Sequence, residues 1–165
     1  VSQFLDYAHP YSSELRPRPI NDVIEKALAL VEANSLSTGI DIQWELHPHL
    51  PLVPIDQEQI HQVILNIALN AIEAMTEGGT LTVRTTRIQS DTGDAVGISI
   101  KDTGTGMTRE TARQLFTPFF TTKERGVGLG LAGCERIIRG HGGKIRVKSI
   151  PGKGTIFYIR LETVR

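Results

Sequence analysis

The sequence lacks the features that mark several classes of protein. One cysteine among 165 residues excludes an internal disulfide framework and a cysteine-cluster zinc site. No apolar run approaches the roughly 20 residues that span a bilayer, and the first residues lack the basic and apolar segments of a secretory signal. Eighteen basic residues balance 18 acidic ones, so no charge excess favours nucleic acid. These absences predict a globular domain that contacts neither nucleic acid nor membrane.

The spacing of apolar residues predicts a single domain of mixed helices and strands. Three- and four-residue steps predict helices at about 20–31, 56–75, 108–116 and 129–139. Two-residue alternation predicts strands at 40–46, 81–88, 96–102, 144–150 and 155–161. Because the strands are apolar on one face, we expect an α+β two-layer sandwich, with about three helices on one face of a mostly antiparallel sheet of about five strands. The sequence Arg-Pro-Arg-Pro at residues 16–19 predicts a linker. Trp44 is expected to lie in the core.

A polar stripe runs along the otherwise apolar helix that Asp56 is predicted to cap. Its members, Gln62, Asn66, Asn70 and Glu73, are spaced four, four and three residues apart, which places them on one helix face. One interpretation is a solvent-exposed seam. The other is a ligand site, since a carboxamide oxygen binds Mg²⁺ without adding charge, and Mg²⁺ usually accompanies nucleotide phosphates.

The segment Asp102-Thr-Gly-Thr-Gly-Met107 follows a predicted strand. Gly104 and Gly106 permit positive φ and a close approach to the backbone. A buried carboxylate at Asp102 would accept a hydrogen bond from an exocyclic amino group such as that of adenine. The alternative is an Asp-Gly turn that starts a helix, with Thr108 as its N-cap.

Nine of the 16 glycines lie between residues 126 and 154. The stretch from Gly126 to Leu131 opens a helix, where free N–H groups form a phosphate site. It also contains G-x-G-x-x-G, but no strand precedes it and no acidic residue follows at the required distance, which excludes a dinucleotide-binding fold. The sequence has no P-loop motif, and the signatures of Ser/Thr/Tyr kinases are missing.

Three of the five phenylalanines fall between Phe116 and Phe120. A loop this apolar is expected to pack over something, so we interpret it as a lid before the glycine-rich segment. Lys123 and Arg125 would then reach a terminal phosphate, or they are solvated loop cations.

Together these segments resemble the N, G1, F, G2 and G3 boxes of the catalytic ATP-binding domain of sensor histidine kinases. The matches, in order, are Asn66-x-x-x-Asn70, Asp102-x-Gly104-x-Gly106, Phe116 to Phe120, Gly126-x-Gly128-x-Gly130 and Gly152-x-Gly154-Thr155. The resemblance spans roughly residues 19–161 and implies the Bergerat fold. Residues 1–15 resemble the end of a dimerisation helix and its linker, which leaves 16–165 as the catalytic domain.

The resemblance implies that ATP and Mg²⁺ are the cofactors, with Asn70 as metal ligand and Asn66 and Lys123 assisting catalysis. Asp102 would accept the adenine amino group, and Thr155 would contact the nucleotide from the strand below. The complete set of nucleotide-binding residues implied is Asn66, Asn70, Asp102, Gly104, Gly106, Met107, Phe116, Phe120, Thr122, Lys123, Gly126, Val127, Gly128, Leu129, Gly130, Leu131 and Thr155.

Two positions depart from related patterns. ATPases of this superfamily carry a water-activating Glu one turn before the metal-binding Asn, and here that residue is Asn66, which cannot act as a base. This difference favours phosphoryl transfer over hydrolysis. Many sensor kinases carry a basic residue three positions after the metal Asn, whereas this chain has Glu73, so Lys123 is expected to supply that charge.

The resemblance implies that the chain donates the γ-phosphoryl group of ATP to a histidine on a separate helical bundle, with a response regulator downstream. The implied location is cytoplasmic, the parent protein possibly anchored in a membrane, and the full-length protein a homodimer. None of the five histidines lies in the His-Glu-x-x-Asn-Pro pattern of the phosphoacceptor helix. Alternatives are a nucleotide-binding regulatory module, an anti-sigma-type serine kinase and a DNA-topology or repair ATPase. Asn66 and the neutral charge balance argue against a DNA-topology or repair ATPase.

Overall fold

The computed structural model describes residues 14–35, 38–117 and 129–163. In these ranges the helices are α1 (Ile20–Ser35), α2 (Gln57–Ala74), α3 (Arg109–Gln114) and α4 (Leu129–Gly140). The strands are β1 (Arg16–Arg18), β2 (Ile40–Glu45), β3 (Val53–Ile55), β4 (Gly79–Ile88), β5 (Ala95–Asp102), β6 (Lys144–Ile150) and β7 (Gly154–Glu162). All four predicted helices and all five predicted strands are present, with bounds shifted by a few residues.

Five strands form the main sheet in the order β2-β4-β5-β7-β6. Neighbours are antiparallel except for β2 and β4, which pair in parallel. A parallel pair requires a long crossover connection, and the segment between β2 and β4 supplies one that contains α2. The predicted α+β sandwich with a mixed, mostly antiparallel sheet is confirmed.

The three longer helices provide the apolar layer that covers the sheet. Helix α2 contacts both α1 and α4. Completely buried side chains from helices and sheet meet in one cluster, which includes Ile24, Leu28, Ile60, Ile64, Leu81, Ile100 and Ile138. Each such side chain contributes roughly 1.5–3 kcal/mol through its removal from water. This cluster holds α2 against β4 and β5 of the main sheet and α4 against both α2 and β6.

Side-chain caps begin two of the helices as the sequence predicted. The Asp56 side chain accepts the N–H of Gln59 at 3.1 Å at the start of α2. Thr108 accepts the N–H of Thr111 at 3.2 Å at the start of α3. Each cap satisfies an N–H that has no partner within its own helix and stabilises it by about 1 kcal/mol.

The prediction of a linker at residues 16–19 is wrong for most of that segment. Arg16–Arg18 forms β1, which pairs antiparallel with β3 in a separate two-stranded sheet. Pro17 lies opposite Pro54, so the two residues that lack an N–H occupy facing positions where neither has to donate. The alternating prolines mark a short edge strand, and the sequence pattern gave no indication of its partner.

The outer edge of the main sheet contradicts one prediction about the core. Trp44 on β2 is 36% exposed rather than buried. Strand β2 has a neighbour on one side only, and its last three residues are exposed. Within the described ranges, no helix combines the length and apolarity needed to cross a bilayer.

Candidate functional site

A buried carboxylate lies at the end of the central strand β5. Asp102 is its last residue and is 5% exposed. Its Oδ1 accepts hydrogen bonds from the N–H of Gly104 at 2.8 Å and from the N–H of Thr155 at 3.3 Å. Among the described residues, none donates to Oδ2. The backbone therefore fixes the carboxylate through one oxygen and leaves the other available to a donor from outside.

Burial is the largest influence on the protonation of Asp102. Removal from water disfavours the charged form and raises the pKa of the carboxyl above its ordinary value of 3.8. The N–H groups of Gly104 and Thr155 oppose this effect because they stabilise the carboxylate. The net effect of the three influences is a raised pKa for the Asp102 carboxyl.

The loop after Asp102 is packed too closely for side chains at two positions. A Cβ on Gly104 would lie 2.6 Å from the carbonyl oxygen of Ala74, at the end of α2. A Cβ on Gly106 would overlap the carbonyl of Ile150, at the end of β6. Gly106 has a φ of 68°, whereas Gly104 does not have positive φ; at both positions another part of the chain approaches the backbone closely, as the sequence allowed. Gly104 is required by the approach of α2, which the sequence does not reveal.

Three hydrogen bonds from backbone groups of this loop link it to the elements on either side. The N–H of Thr105 donates to the carbonyl of Ala74 at 3.2 Å, and the carbonyl of Thr105 accepts the N–H of Gly152 at 2.6 Å. The N–H of Met107 donates to Oγ of Ser149 at 2.7 Å. The loop is therefore fastened to α2, to the turn between β6 and β7, and to β6 itself.

Ser149 and Thr155 form a pair of hydroxyls beside Asp102. Their oxygens are 2.7 Å apart, and the Ser149 hydroxyl also lies 3.2 Å from the carbonyl oxygen of Gly154. Thr155 is 7% exposed. Thr155 is among the residues that the resemblance implied, whereas Ser149 is not. A signal was present, because β6 alternates polar residues with Ile145 and Val147, and Ser149 occupies the next position of the apolar set.

The predicted polar stripe occupies one side of α2. Gln62, Asn66 and Asn70 are partly buried, whereas Glu73 is exposed. The Asn66 amide lies 3.9 Å from the sulfur of Cys134 on α4. The stripe therefore borders α4 at Asn66, so the interpretation as a merely solvent-exposed seam does not hold for that residue.

Cys134 on α4 is a core residue. It is 1% exposed, and its thiol lies 3.9 Å from the carbonyl oxygen of Val63. Burial raises the pKa of the thiol to about 12, and the contact with the Asn66 amide opposes this effect weakly. The thiol is therefore inert at neutral pH and serves in packing.

Several residues that the resemblance implicates lie outside the described ranges. Helix α4 starts at Leu129, and Gly130 and Leu131 are in its first turn, with Leu131 partly buried against the core. Phe116 precedes the gap, and its ring contacts that of Phe157 at a centroid distance of 6.3 Å, edge to face. The residues outside are Phe120, Thr122, Lys123, Gly126, Val127 and Gly128.

A buried histidine connects the end of α4 to the start of α2. His141 is 9% exposed; its Nε2 accepts the N–H of Asp56 at 3.0 Å, and its Nδ1 lies 2.8 Å from the carbonyl oxygen of Ile137. An acceptor at Nε2 and a donor at Nδ1 define the neutral tautomer with its proton on Nδ1. This histidine is a structural link.

In the described part of the chain, no group of three or more His, Cys, Asp or Glu side chains could hold a metal ion.

Residues 55–165 match the family described as histidine kinase-, DNA gyrase B-, and HSP90-like ATPases. The chain is 40% identical over 164 residues to the sensor histidine kinase ZraS of Salmonella typhi, covering 99% of this chain and 35% of that protein. It is 38% identical over 161 residues to the signal transduction histidine-protein kinase AtoS of Escherichia coli, covering 98% of this chain and 26% of AtoS. The chain thus spans about a third or less of these curated relatives.

Solved structures show the same fold. The catalytic domain of the histidine kinase ThkA in its nucleotide-free form matches with a TM-score of 0.80 at 32% identity, over 91% of this chain and 96% of that domain. Full-length ShkA in complex with AMPPNP matches with a TM-score of 0.85 at 27% identity, over 99% of this chain and 35% of ShkA.

A family match over most of the chain, relatives that are sensor histidine kinases and the shared fold agree with one another. The chain therefore belongs to the family of histidine kinase-, DNA gyrase B- and HSP90-like ATPases, and within it corresponds to the ATP-binding catalytic domain of a sensor histidine kinase.

Proposed function

We propose that this chain binds Mg·ATP and donates its γ-phosphoryl group to a histidine on a separate helical domain. The observation that carries the proposal is the buried Asp102 carboxylate, which the backbone holds through Oδ1 while Oδ2 accepts nothing from the described residues. ShkA, which shares the fold, is in complex with AMPPNP, an analogue of ATP. An acceptor of this kind suits the exocyclic amino group of adenine.

The nucleotide base would lie beside the loop that follows β5. Oδ2 of Asp102 would accept the adenine amino group, and the backbone at Gly104 and Gly106 would approach the ring closely because no side chain intervenes. Met107, Phe116 and Leu131 would supply apolar surface, since all three are partly buried against the core. Thr155 would contribute its hydroxyl from β7.

The metal would bind at the carboxamides of α2. Asn70 would supply one neutral oxygen to Mg²⁺, and Asn66, one turn earlier, would help to hold the ion and the phosphates. This donor set suits Mg²⁺ in a nucleotide complex, where phosphates and waters complete the octahedron. When bound, the ion neutralises charge on the transferring phosphoryl group.

The chain itself contributes positioning and electrostatic stabilisation to the transfer. A nitrogen of the acceptor histidine attacks the γ-phosphorus, and the bond from that phosphorus to the bridging oxygen breaks, so ADP leaves with the electron pair. Backbone N–H groups at the start of α4, together with Gly126 and Gly128, would bind the phosphates. Lys123 would offset the developing negative charge.

The remaining residues complete the proposal on grounds of sequence alone. Phe120, Thr122, Val127 and Leu129 would belong to a lid over the nucleotide. Residues 1–15 would be the end of the dimerisation helix and its linker, residues 16–165 the catalytic domain, and the full-length protein a cytoplasmic or membrane-anchored homodimer. A response regulator would receive the phosphoryl group from the acceptor histidine; ThkA is known in complex with the response regulator TrrA.

Calorimetric titration with ADP, with and without Mg²⁺, and with GDP tests the nucleotide site. We expect ADP to bind in preference to GDP and Mg²⁺ to strengthen the binding. Asn70→Ala should remove the effect of Mg²⁺. Asn34→Ala on α1 is the matched control, because it removes an exposed asparagine whose amide, within the described ranges, donates only to the carbonyl of Leu30 in its own helix.

The possible results separate the candidate functions. Binding of ADP without any effect of Mg²⁺ would contradict the metal role of Asn70. Equal affinity for ADP and GDP would contradict the role of Asp102. No binding at millimolar ADP would overturn the proposal and favour a regulatory module that has lost its nucleotide.

A further inference from the structure

Ser149 occupies the junction of three structural elements next to Asp102. Its oxygen accepts the N–H of Met107 from the loop after β5, lies 2.7 Å from the Thr155 hydroxyl, and lies 3.2 Å from the carbonyl oxygen of Gly154. Thr155 in turn donates its backbone N–H to Asp102. A single hydroxyl therefore connects the loop, β6 and β7 around the carboxylate.

The hydrogen-bonding capacity of a hydroxyl determines how the protons are arranged. A serine hydroxyl donates once and accepts twice. The Met107 N–H uses one acceptor site, and the Gly154 carbonyl, which can only accept, lies within reach of the single Ser149 proton. Either hydroxyl of the Ser149–Thr155 pair could be the donor, but all three contacts are hydrogen bonds only when Ser149 donates to Gly154 and the Thr155 hydroxyl donates to the second acceptor site of Ser149. In this arrangement every site of Ser149 is used.

This arrangement of protons also determines which hydrogen bonds Thr155 can make to a ligand. Because its proton is committed to Ser149, the Thr155 oxygen can offer only lone pairs to a ligand. Asp102 likewise offers only an acceptor, at Oδ2. The N–H groups of Gly104 and Met107 in the loop are also committed, to Asp102 and to Ser149 respectively. In this arrangement Asp102 and Thr155 present acceptors, and these two N–H groups are not available as donors.

We propose that Ser149 is a positioning residue that fixes the Thr155 hydroxyl as an acceptor and thereby sets the preference of the nucleotide site for adenine over guanine. The proposal rests on the nucleotide-binding function proposed above. Adenine carries an amino group, a donor, where guanine carries a carbonyl oxygen, an acceptor. A carbonyl facing these acceptors would leave polar groups unpaired, and a site built this way rejects the wrong base more strongly than apolar contact does.

Removal of the Ser149 hydroxyl would release the Thr155 proton. The Thr155 hydroxyl could then rotate and donate to the carbonyl oxygen of guanine. We therefore expect Ser149→Ala to weaken ADP binding by about tenfold, corresponding to one hydrogen bond. Binding of GDP should weaken less or improve, so the ADP-to-GDP affinity ratio falls. A purely structural loss would weaken both nucleotides equally and leave that ratio unchanged.

The experiment is calorimetric titration of ADP and GDP into four forms of the chain: unaltered, Ser149→Ala, Ser149→Thr and Ser99→Ala. Ser149→Thr keeps the hydroxyl and should retain the unaltered ratio. Ser99 lies on β5 of the same sheet, and its hydroxyl makes no hydrogen bond within the described residues. Ser99→Ala should therefore change neither the affinity for ADP nor that for GDP. Thermal unfolding of each form establishes that it is folded.

The outcomes distinguish this proposal from the one on which it rests. If the unaltered chain does not bind ADP, both proposals fail. If it prefers ADP and Ser149→Ala keeps the same ratio, the role of Ser149 is overturned while nucleotide binding stands. If Ser149→Ala is unfolded, the comparison rests on Ser149→Thr and Ser149→Cys: a lower ADP-to-GDP ratio in Ser149→Cys than in Ser149→Thr supports the proposal, because a thiol sulfur accepts the Thr155 proton only weakly, and an equal ratio overturns it.

Discussion

At the scale of single residues, this domain holds polar groups in places where they reduce stability. Asp102 is a carboxylate at the end of a buried strand, and its pKa is raised by that burial. A raised pKa means that the folded chain binds this proton more tightly than the unfolded chain does. The free energy of unfolding therefore falls as the pH rises from 3.8 through the higher folded pKa, and above it the loss is complete.

Asp102→Asn tests whether the buried carboxylate lowers the stability of the fold while it favours the binding of adenine nucleotides. The amide has the same shape and carries no charge, and its oxygen can still accept the N–H groups of Gly104 and Thr155. At pH 8 we expect its melting temperature to equal or exceed that of the unaltered chain, with the difference shrinking as the pH falls below the Asp102 pKa. Adenine nucleotides should bind far more weakly, whereas bare tripolyphosphate should bind nearly as before.

Thermal unfolding across the pH range and calorimetry with both ligands are the measurements. A lower melting temperature for Asp102→Asn at pH 8 would contradict the account of burial. Equal losses of affinity for ADP and tripolyphosphate would show that Asp102 does not contact the base.

The single cysteine gives a second prediction at this scale. Because the pKa of Cys134 is about 12, its thiolate fraction at pH 8 is lower by about three orders of magnitude than that of an exposed thiol. A thiol-specific reagent should therefore modify the native chain very slowly and the chain in denaturant at once. Cys134→Ala provides the blank. Rapid modification of the native chain would show that α4 opens readily from α2.

At the scale of structural elements, the packing of backbone against backbone decides where glycine is necessary. The loop after β5 passes between the end of α2 and the end of β6, and Gly104 and Gly106 leave space for both. Gly133 in α4 has no atom of the described residues, outside the neighbouring backbone of its own helix, within 4 Å of the position that a Cβ would occupy. Glycines that look alike in the sequence therefore have opposite significance.

A matched pair of substitutions measures this difference. Gly106→Ala should lower the free energy of unfolding by at least about 1 kcal/mol, because alanine disfavours positive φ and its methyl group would meet the Ile150 carbonyl. Gly133→Ala should raise it by about 0.5–1 kcal/mol, since alanine is the better helix former and fits without contact.

Chemical denaturation of both variants beside the unaltered chain is the measurement. If Gly106→Ala were as stable as the unaltered chain, the loop would have to be less tightly held than its hydrogen bonds to Ala74 and Gly152 indicate. If Gly133→Ala were destabilised, α4 would have to pack more closely than described.

At the scale of the whole molecule, the proposed reaction is divided between domains. Asn66 stands where a related ATPase would have a glutamate to activate water, and an amide cannot remove a proton. We expect the chain alone to release phosphate from Mg·ATP at far below about 1 per second, the lower end of ordinary enzyme turnover. Phosphate release is followed with Asn70→Ala as background, and turnover well above that background would contradict the assignment of Asn66.

Much of this molecule could be predicted from local pattern. The apolar spacing identified the four helices and the five strands of the main sheet, Asp56 was correctly predicted as a cap, and Thr108 is the cap that the alternative interpretation of its segment named. These features depend on residues close in the chain, whose periodicity and side-chain chemistry act locally. The order of the polar segments also indicated the family before any fold was known.

The remaining features required tertiary structure because they depend on residues far apart in the sequence. The short strand at Arg16–Arg18 needs a partner at Val53–Ile55, and exposure of Trp44 follows from its place on an edge strand. Gly104 is needed because α2 approaches it, a fact invisible in its own neighbours.

The sequence by itself determined the elements, the polar residues at their ends and the family, since each is written in a local pattern of residue types. Only the tertiary structure brought Ser149 to Met107 and Thr155 to Asp102, across separations of 42 and 53 residues respectively. Hydrogen bonds act over about 3 Å, so which hydroxyl donates and which accepts is decided by the folded chain, and with it the chemistry that the site presents.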